Sequence, residues 1–169
     1  MRTLLVILAL LFSMKAIAAP ESRSTISVCG GTTVSNSIKD EKSHAWCIEQ
    51  ETPTSRGTWL FGYLNEGHLH GDKRDGIYAL YKFPHNLTPR VETSVAAGPY
   101  YTATTVTEAD GVEYRDVYCL SLLATAGVKV ALDDNWSTQF RWSHAMFTRN
   151  NRHDTDVFAI HVGYKPKGW

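Results

Sequence analysis

Apolar and polar residues alternate with a period of two along most of this chain, most clearly between Asp116 and Tyr164. Asp116–Leu132 puts Tyr118, Leu120, Leu122, Ala124, Ala126, Val128, Val130 and Leu132 on one parity, and Cys119, Ser121, Thr125, Gly127 and Lys129 on the other. Trp136–Phe147 sets Thr138, Phe140, Trp142, His144 and Met146 against Ser137, Gln139, Arg141 and Ser143. Asp156–Tyr164 sets Phe158, Ile160, Val162 and Tyr164 against Val157, Ala159, His161 and Gly163. Alternation of this kind is the signature of a strand with two different faces.

The same reading gives five earlier strands, at Ile26–Val34, His44–Glu51, Gly57–Leu64, Asp75–Phe83 and Arg90–Tyr101. Thr52–Arg56, Pro84–Pro89 and Asp133–Asn135 read as short turns. Ser35–Ser43, Asn65–Arg74, Thr102–Tyr114 and Thr148–Thr155 read as longer polar loops. Eight strands joined alternately by long loops and short turns predict an all-β, eight-stranded, antiparallel up-and-down barrel.

Sidedness follows from where the charges fall. Lys82, Glu92, Lys129 and Arg141 share the parity opposite the large apolar and aromatic residues. A soluble barrel that binds an apolar ligand would turn its apolar face inward. A transmembrane barrel does the reverse, with a polar interior and a wall that meets lipid. Buried charges must be paired, because desolvating each one costs several kcal/mol. Glu92 is therefore expected to pair with Lys82 or Arg141. Tyr and Trp near strand ends (Trp59, Tyr63, Tyr81, Tyr100, Tyr101, Trp136, Trp142 and Tyr164) suit the two interfaces of a bilayer.

The first residues place the chain in an export route. Arg2, the apolar run Leu4–Met14 and the small residues Ala16–Ala19 form the three regions of a signal peptide. Cleavage is expected after Ala18, leaving residues 19–169 as one domain. The apolar run is shorter than the roughly 20 residues that a transmembrane helix requires. The mean hydropathy is -0.24. Lys and Arg total 17, as do Asp and Glu, so the formal net charge is zero and gives no electrostatic basis for binding nucleic acid. Export permits a disulfide. Cys29 and Cys47 flank one loop and are the expected pair, with Cys119 a free buried thiol.

With its signal peptide, alternating strands and aromatic last residue, Trp169, the chain resembles the small eight-stranded outer-membrane barrels, the OmpA/OmpX and PagL-like class. The resemblance covers most of the mature chain and is one of pattern. The segments Gly62-Tyr-Leu-Asn-Glu-Gly-His68, Arg74-Asp-Gly76, Ala97-Gly-Pro-Tyr100 and Asp154-Thr-Asp156 look like signatures of a subfamily. The resemblance implies a monomer in the bacterial outer membrane, in contact with lipid that includes lipopolysaccharide. It implies a structural role or binding through the outer loops. No cofactor is expected. The lumen of an eight-stranded barrel is just wide enough for side chains to fill, so no pore is expected either.

In that topology the polar candidates gather at one mouth. Glu66, His68, His70, Arg74, Asp75, Arg115 and Arg149 are the candidate binding residues, the arginines because a guanidinium can grip a phosphate with two parallel hydrogen bonds. His68 and His70, with Glu66 and Asp72, carry donor types that suit zinc, but a His-x-His pair in a solvated loop is a weak signal, and no metal is expected. His144 faces the lipid side by parity. PagL-type lipid A deacylases use a His, a Ser two residues later and an acidic orienting residue. Here Met146 stands at the Ser position and cannot attack an ester. Thr148 is the remaining hydroxyl on that parity, and Asp154 or Asp156 the orienting acid. A lipid A acyl hydrolase is thus the alternative to a barrel without enzymatic activity, and a soluble periplasmic barrel that binds an apolar ligand is a lesser one.

Overall fold

Eight strands close into one barrel in sequence order. The computed structural model describes residues 23–36, 41–69, 72–107, 114–147 and 153–166, apart from the side chains of 106–107 and 114–116. The strands are β1 (Thr25–Ser35), β2 (Lys42–Pro53), β3 (Thr58–Leu69), β4 (Asp72–Asn86), β5 (Val91–Thr107), β6 (Tyr114–Ala131), β7 (Trp136–Met146) and β8 (Thr155–Tyr164). β1 pairs with β8 from Ile26 opposite Tyr164 to Ser35 opposite Thr155, which closes the ring at its seam. The expected signal peptide and the terminal Trp169 lie outside the described residues.

The short turns form close to where the sequence places them, although β4 runs on to Asn86 and moves the second turn to residues 87–90; local hydrogen bonds explain why they form. The Thr54 amide donates to the Gly57 carbonyl at 2.7 Å, and the Leu87 amide to that of Val91 at 2.9 Å. In the third turn the Asp133 carboxylate accepts the amides of Asn135 and Trp136, both at 2.7 Å, the side-chain-to-backbone bonding that makes Asp a turn residue.

The opposite end departs from expectation. Asn65–Arg74 is not a long loop. β3 continues to Leu69 and β4 starts at Asp72, so only residues 70–71 join them. The ladder survives because of a bulge: Asn65 pairs with Asp75, but Gly67 pairs with Arg74. Gly67 has φ of 77°, and a Cβ there would overlap the Ser43 hydroxyl. Asn65 Oδ1 accepts the Gly67 amide at 2.9 Å and holds the bulge. Glycine supplies this conformation without steric cost, and period counting cannot see an inserted residue. β5 and β6 also run past their expected ends, to Thr107 and from Tyr114.

The faces fall as the charges require. Arg141 is 3% exposed, and its neighbour Phe140 is 54% exposed. Ile26, Val28, Ile48, Val95, Leu120 and Ile160 stand outward with Phe140 in an apolar belt. A barrel with apolar residues inside and polar ones outside is therefore excluded. Aromatic pairs flank the belt. Trp59–Tyr81 (5.1 Å between centroids) and Trp136–Tyr164 (4.8 Å) lie at the turn end. Trp46–Tyr63 (5.2 Å) and Tyr101–Tyr118 (5.9 Å) lie toward the loop end. Tyr100 does not join them; it is fully buried inside.

Candidate functional site

The interior holds two ionic layers with an apolar layer between. The layer nearer the turn end centres on carboxylates from β2. Arg141 Nη1 donates to Glu49 Oε2 at 2.5 Å and Nη2 to Glu49 Oε1 at 2.8 Å, a bidentate pair. Tyr78 donates its hydroxyl to Glu49 at 2.8 Å, and Gln139 Oε1 accepts from Arg141 Nη2 at 2.9 Å. Beside them, Glu51 accepts from Lys82 Nζ at 3.2 Å and Lys129 Nζ at 2.6 Å, and Lys82 also reaches Glu92 at 3.1 Å. Three carboxylates thus face three cations, which removes the net charge that would otherwise make burial prohibitive.

Glu92 does pair with Lys82, as expected, but Arg141 binds Glu49 instead. Glu49 and Glu51 were not singled out by sequence. Their signal was present: they share the parity of Cys47, opposite Trp46 and Ile48. What parity cannot supply is a partner on a non-adjacent strand.

Leu64 and Leu123 lie between this ionic layer and the next, while Leu60 and Leu80 pack at its edge, Leu60 opposite Glu51. Above Leu64 lies Glu66, completely buried. It accepts hydroxyls from Tyr100 at 2.8 Å and Thr155 at 2.6 Å, and Arg74 approaches at 3.8 Å. Arg74 also donates to the His153 carbonyl at 3.3 Å and stacks over the Phe147 ring, 4.4 Å from its centroid. Glu66 and Arg74 were expected at the mouth as ligand contacts. They are instead turned into the lumen and bound to one another. The bulge at Gly67 separates inward Glu66 from exposed His68.

The remaining candidates divide in two. Asp75 faces outward and accepts the Tyr63 hydroxyl at 2.9 Å, with Lys73 at 3.4 Å. Arg115 lies on β6, its side chain outside the description. His70, Thr148 and Arg149 lie outside the described residues.

At the loop end of β7 and β8 the structure does bring sequence candidates together. His144 Nδ1 lies 2.9 Å from Asp156 Oδ1, and Nε2 lies 3.8 Å from Asp154 Oδ2. Asp156 also accepts the Trp142 indole N–H at 2.8 Å. Asp154 accepts the Phe147 amide at 2.9 Å. Register explains the meeting, since His144 pairs directly with Asp156. Ser143 points inward, as its parity requires. A base–orienter pair is therefore present, but the ring nitrogen that would face a nucleophile faces a second carboxylate.

The cysteines also lie inside. Cys29 and Cys47 sit opposite one another on β1 and β2 and form the expected disulfide. Cys119 is free and only partly buried. His161, inward as expected, places Nδ1 3.8 Å from Cys47 Sγ.

Comparison with solved structures identifies the architecture. The chain superposes on Neisserial surface protein A with a TM-score of 0.74 and 12% identity, over 85% of this chain and 97% of that one. The N-terminal β-barrel domain of Pseudomonas aeruginosa OprF gives 0.61 at 10% identity, over 85% and 98%. Yersinia pestis Ail, in complex with the heparin analogue sucrose octasulfate, gives 0.60 at 12% identity, over 86% and 99%. Neither a protein-family model nor a curated protein matches the sequence. At such identities the likeness is one of fold: this chain has the fold of the small eight-stranded outer-membrane barrels.

Proposed function

We propose that this protein is a plugged barrel of the bacterial outer membrane, exported by a cleaved signal peptide, with a structural role or a role in binding through its outer loops. The observation that carries the reading is the inversion of polarity, with Arg141, Glu49, Lys82 and Glu51 sealed inside and the apolar belt outside. Water cannot solvate that belt without a large cost, whereas hydrocarbon can. Two cavities among the described residues fit a plugged interior. One, lined by Cys47, Leu80, Arg141 and His161 among others, and another, lined by Ser27, Glu51 and Lys129 among others, each measure about 10 Å³, room for about one water molecule.

Lipid of the outer leaflet, including lipopolysaccharide, is the expected surrounding partner, and the barrel acts as a monomer. Extraction from membranes by detergent alone, with heat-modifiable migration on gels, is the expected result. Recovery as a monomer in plain buffer would remove the assignment.

One geometry favours a second reading. His144 and Asp156 form the base–orienter half of an acyl-hydrolase site on the lipid-facing side. Overexpression followed by mass measurement of lipid A separates the two readings. Loss of an acyl chain, abolished by His144→Ala, would make the protein a hydrolase; unchanged lipid A leaves the structural role.

A further inference from the structure

The proposed function uses neither the cysteines nor His161. Cys29 and Cys47 face the lumen from adjacent strands, with Cα atoms 4.9 Å apart. His161 comes from β8, the other neighbour of β1, and pairs with Cys29 in register. Two sulfurs and one imidazole nitrogen therefore converge within 4.8 Å of one another. Cys47 and His161 are 2% and 4% exposed. A cavity of about 10 Å³ adjoins all three residues.

We propose that these three residues are a metal site in the reduced protein, taking one borderline-soft divalent cation of the zinc type, and that the disulfide is its closed, metal-free state. Thiolate and imidazole are the donors such a cation prefers. With bonds of about 2.3 Å to sulfur and about 2.0–2.1 Å to nitrogen, tetrahedral geometry places ligand sulfur and nitrogen about 3.5 Å apart. The observed separation of Cys47 Sγ and His161 Nδ1 is 3.8 Å, so the imidazole is already near its place. The cavity, with room for about one water molecule, gives the cation a place beside the three donors.

Charge also fits. Two thiolates neutralise a dication. The nearby Arg141 guanidinium is held by Glu49 in a bidentate pair, so it does not add an uncompensated positive charge.

Opening the site consumes a dithiol reductant. Its two electrons break the S–S bond, two S–H groups form, and the reductant leaves as a cyclic disulfide. Metal binding then releases both thiol protons to solvent.

The test uses the full chain with Cys119→Ser, folded in detergent, so that the third cysteine gives no signal. Cobalt(II) serves as the probe, in samples reduced with a dithiol and then freed of it. One equivalent bound, with a thiolate-to-cobalt charge-transfer band and the visible bands of a tetrahedral ion, is expected of reduced protein only. Either Cys29→Ser or Cys47→Ser should roughly halve the charge-transfer band and weaken binding, and the two together should abolish it. His161→Ala should alter the visible bands while leaving some sulfur ligation. The proposal is overturned if reduced protein binds no more cobalt than Cys47→Ser, if His161→Ala changes nothing, or if heat-modifiable migration shows that reduction unfolds the barrel.

Discussion

Arg141 and Glu49 grip each other through two parallel hydrogen bonds, 92 residues apart in sequence and on strands that are not neighbours. Arg141→Ala leaves the Glu49 carboxylate buried without its cation, with Tyr78, among the described residues, still donating to it. Removing one partner of a buried pair typically costs about 3–5 kcal/mol. Glu49→Leu combined with Arg141→Met removes both charges and should cost less than the sum of the single changes. Urea midpoints of the folded form in detergent measure this; strict additivity would show that the pair is not coupled.

The outward apolar belt, read as the wall that meets lipid in the proposed function, makes a prediction that depends on depth. Ile160 stands outward in the middle of β8, and Tyr164 at its end. Ile160→Arg should destabilise the bilayer-embedded barrel by about 2–4 kcal/mol, and Tyr164→Arg by about 0–1 kcal/mol. Equal costs in reversible folding into lipid would contradict a belt centred on Ile160.

Two adjacent glycines separate space from its absence. A Cβ on Gly30 meets nothing within 4 Å, because it points outward. A Cβ on Gly31 points inward and would overlap the Phe158 carbonyl oxygen and crowd Ala159 across the β1–β8 seam. Gly30→Ala should fold normally and Gly31→Ala should yield little heat-modifiable species. Normal folding of both would mean that the seam is looser than described.

The disulfide crosses a separation of 18 residues. Restraint of a loop of that size contributes about 3 kcal/mol by chain entropy. Cys29→Ser with Cys47→Ser should lower stability by roughly that amount and still leave a folded barrel, since the strand ladders on both sides of β1 do not need it. Thermal or urea unfolding of the oxidised parent and the double variant tests this.

His144 is held between Asp156 and Asp154. His144→Ala should free the Trp142 indole to reorient, because the Asp156 carboxylate that binds both would lose one donor. The shift is read by tryptophan fluorescence against a Trp142→Phe control. No change in the spectrum would show that the two side chains are independent.

Sequence reading placed His144, Asp154 and Asp156 together because strand ends and a connecting loop are local features. It misplaced Glu66 and Arg74 because the polar, Gly- and His-rich run Asn65–Arg74 reads as a loop, whereas both residues continue the inward parity of β3 and β4. Residue type alone puts Tyr100 in the outer aromatic belt. Its hydroxyl is instead a buried donor to Glu66.

Parity along each strand, a property of consecutive residues, was enough to determine eight strands, their short turns and which face turns outward. Only closure of the ring decided which charges meet, because Glu49, Arg141, Lys82 and Glu51 come from β2, β4 and β7 and touch only across the lumen. The physical reason is that alternation records which way a side chain points. The height at which it meets another is set by the register of every strand pair between them.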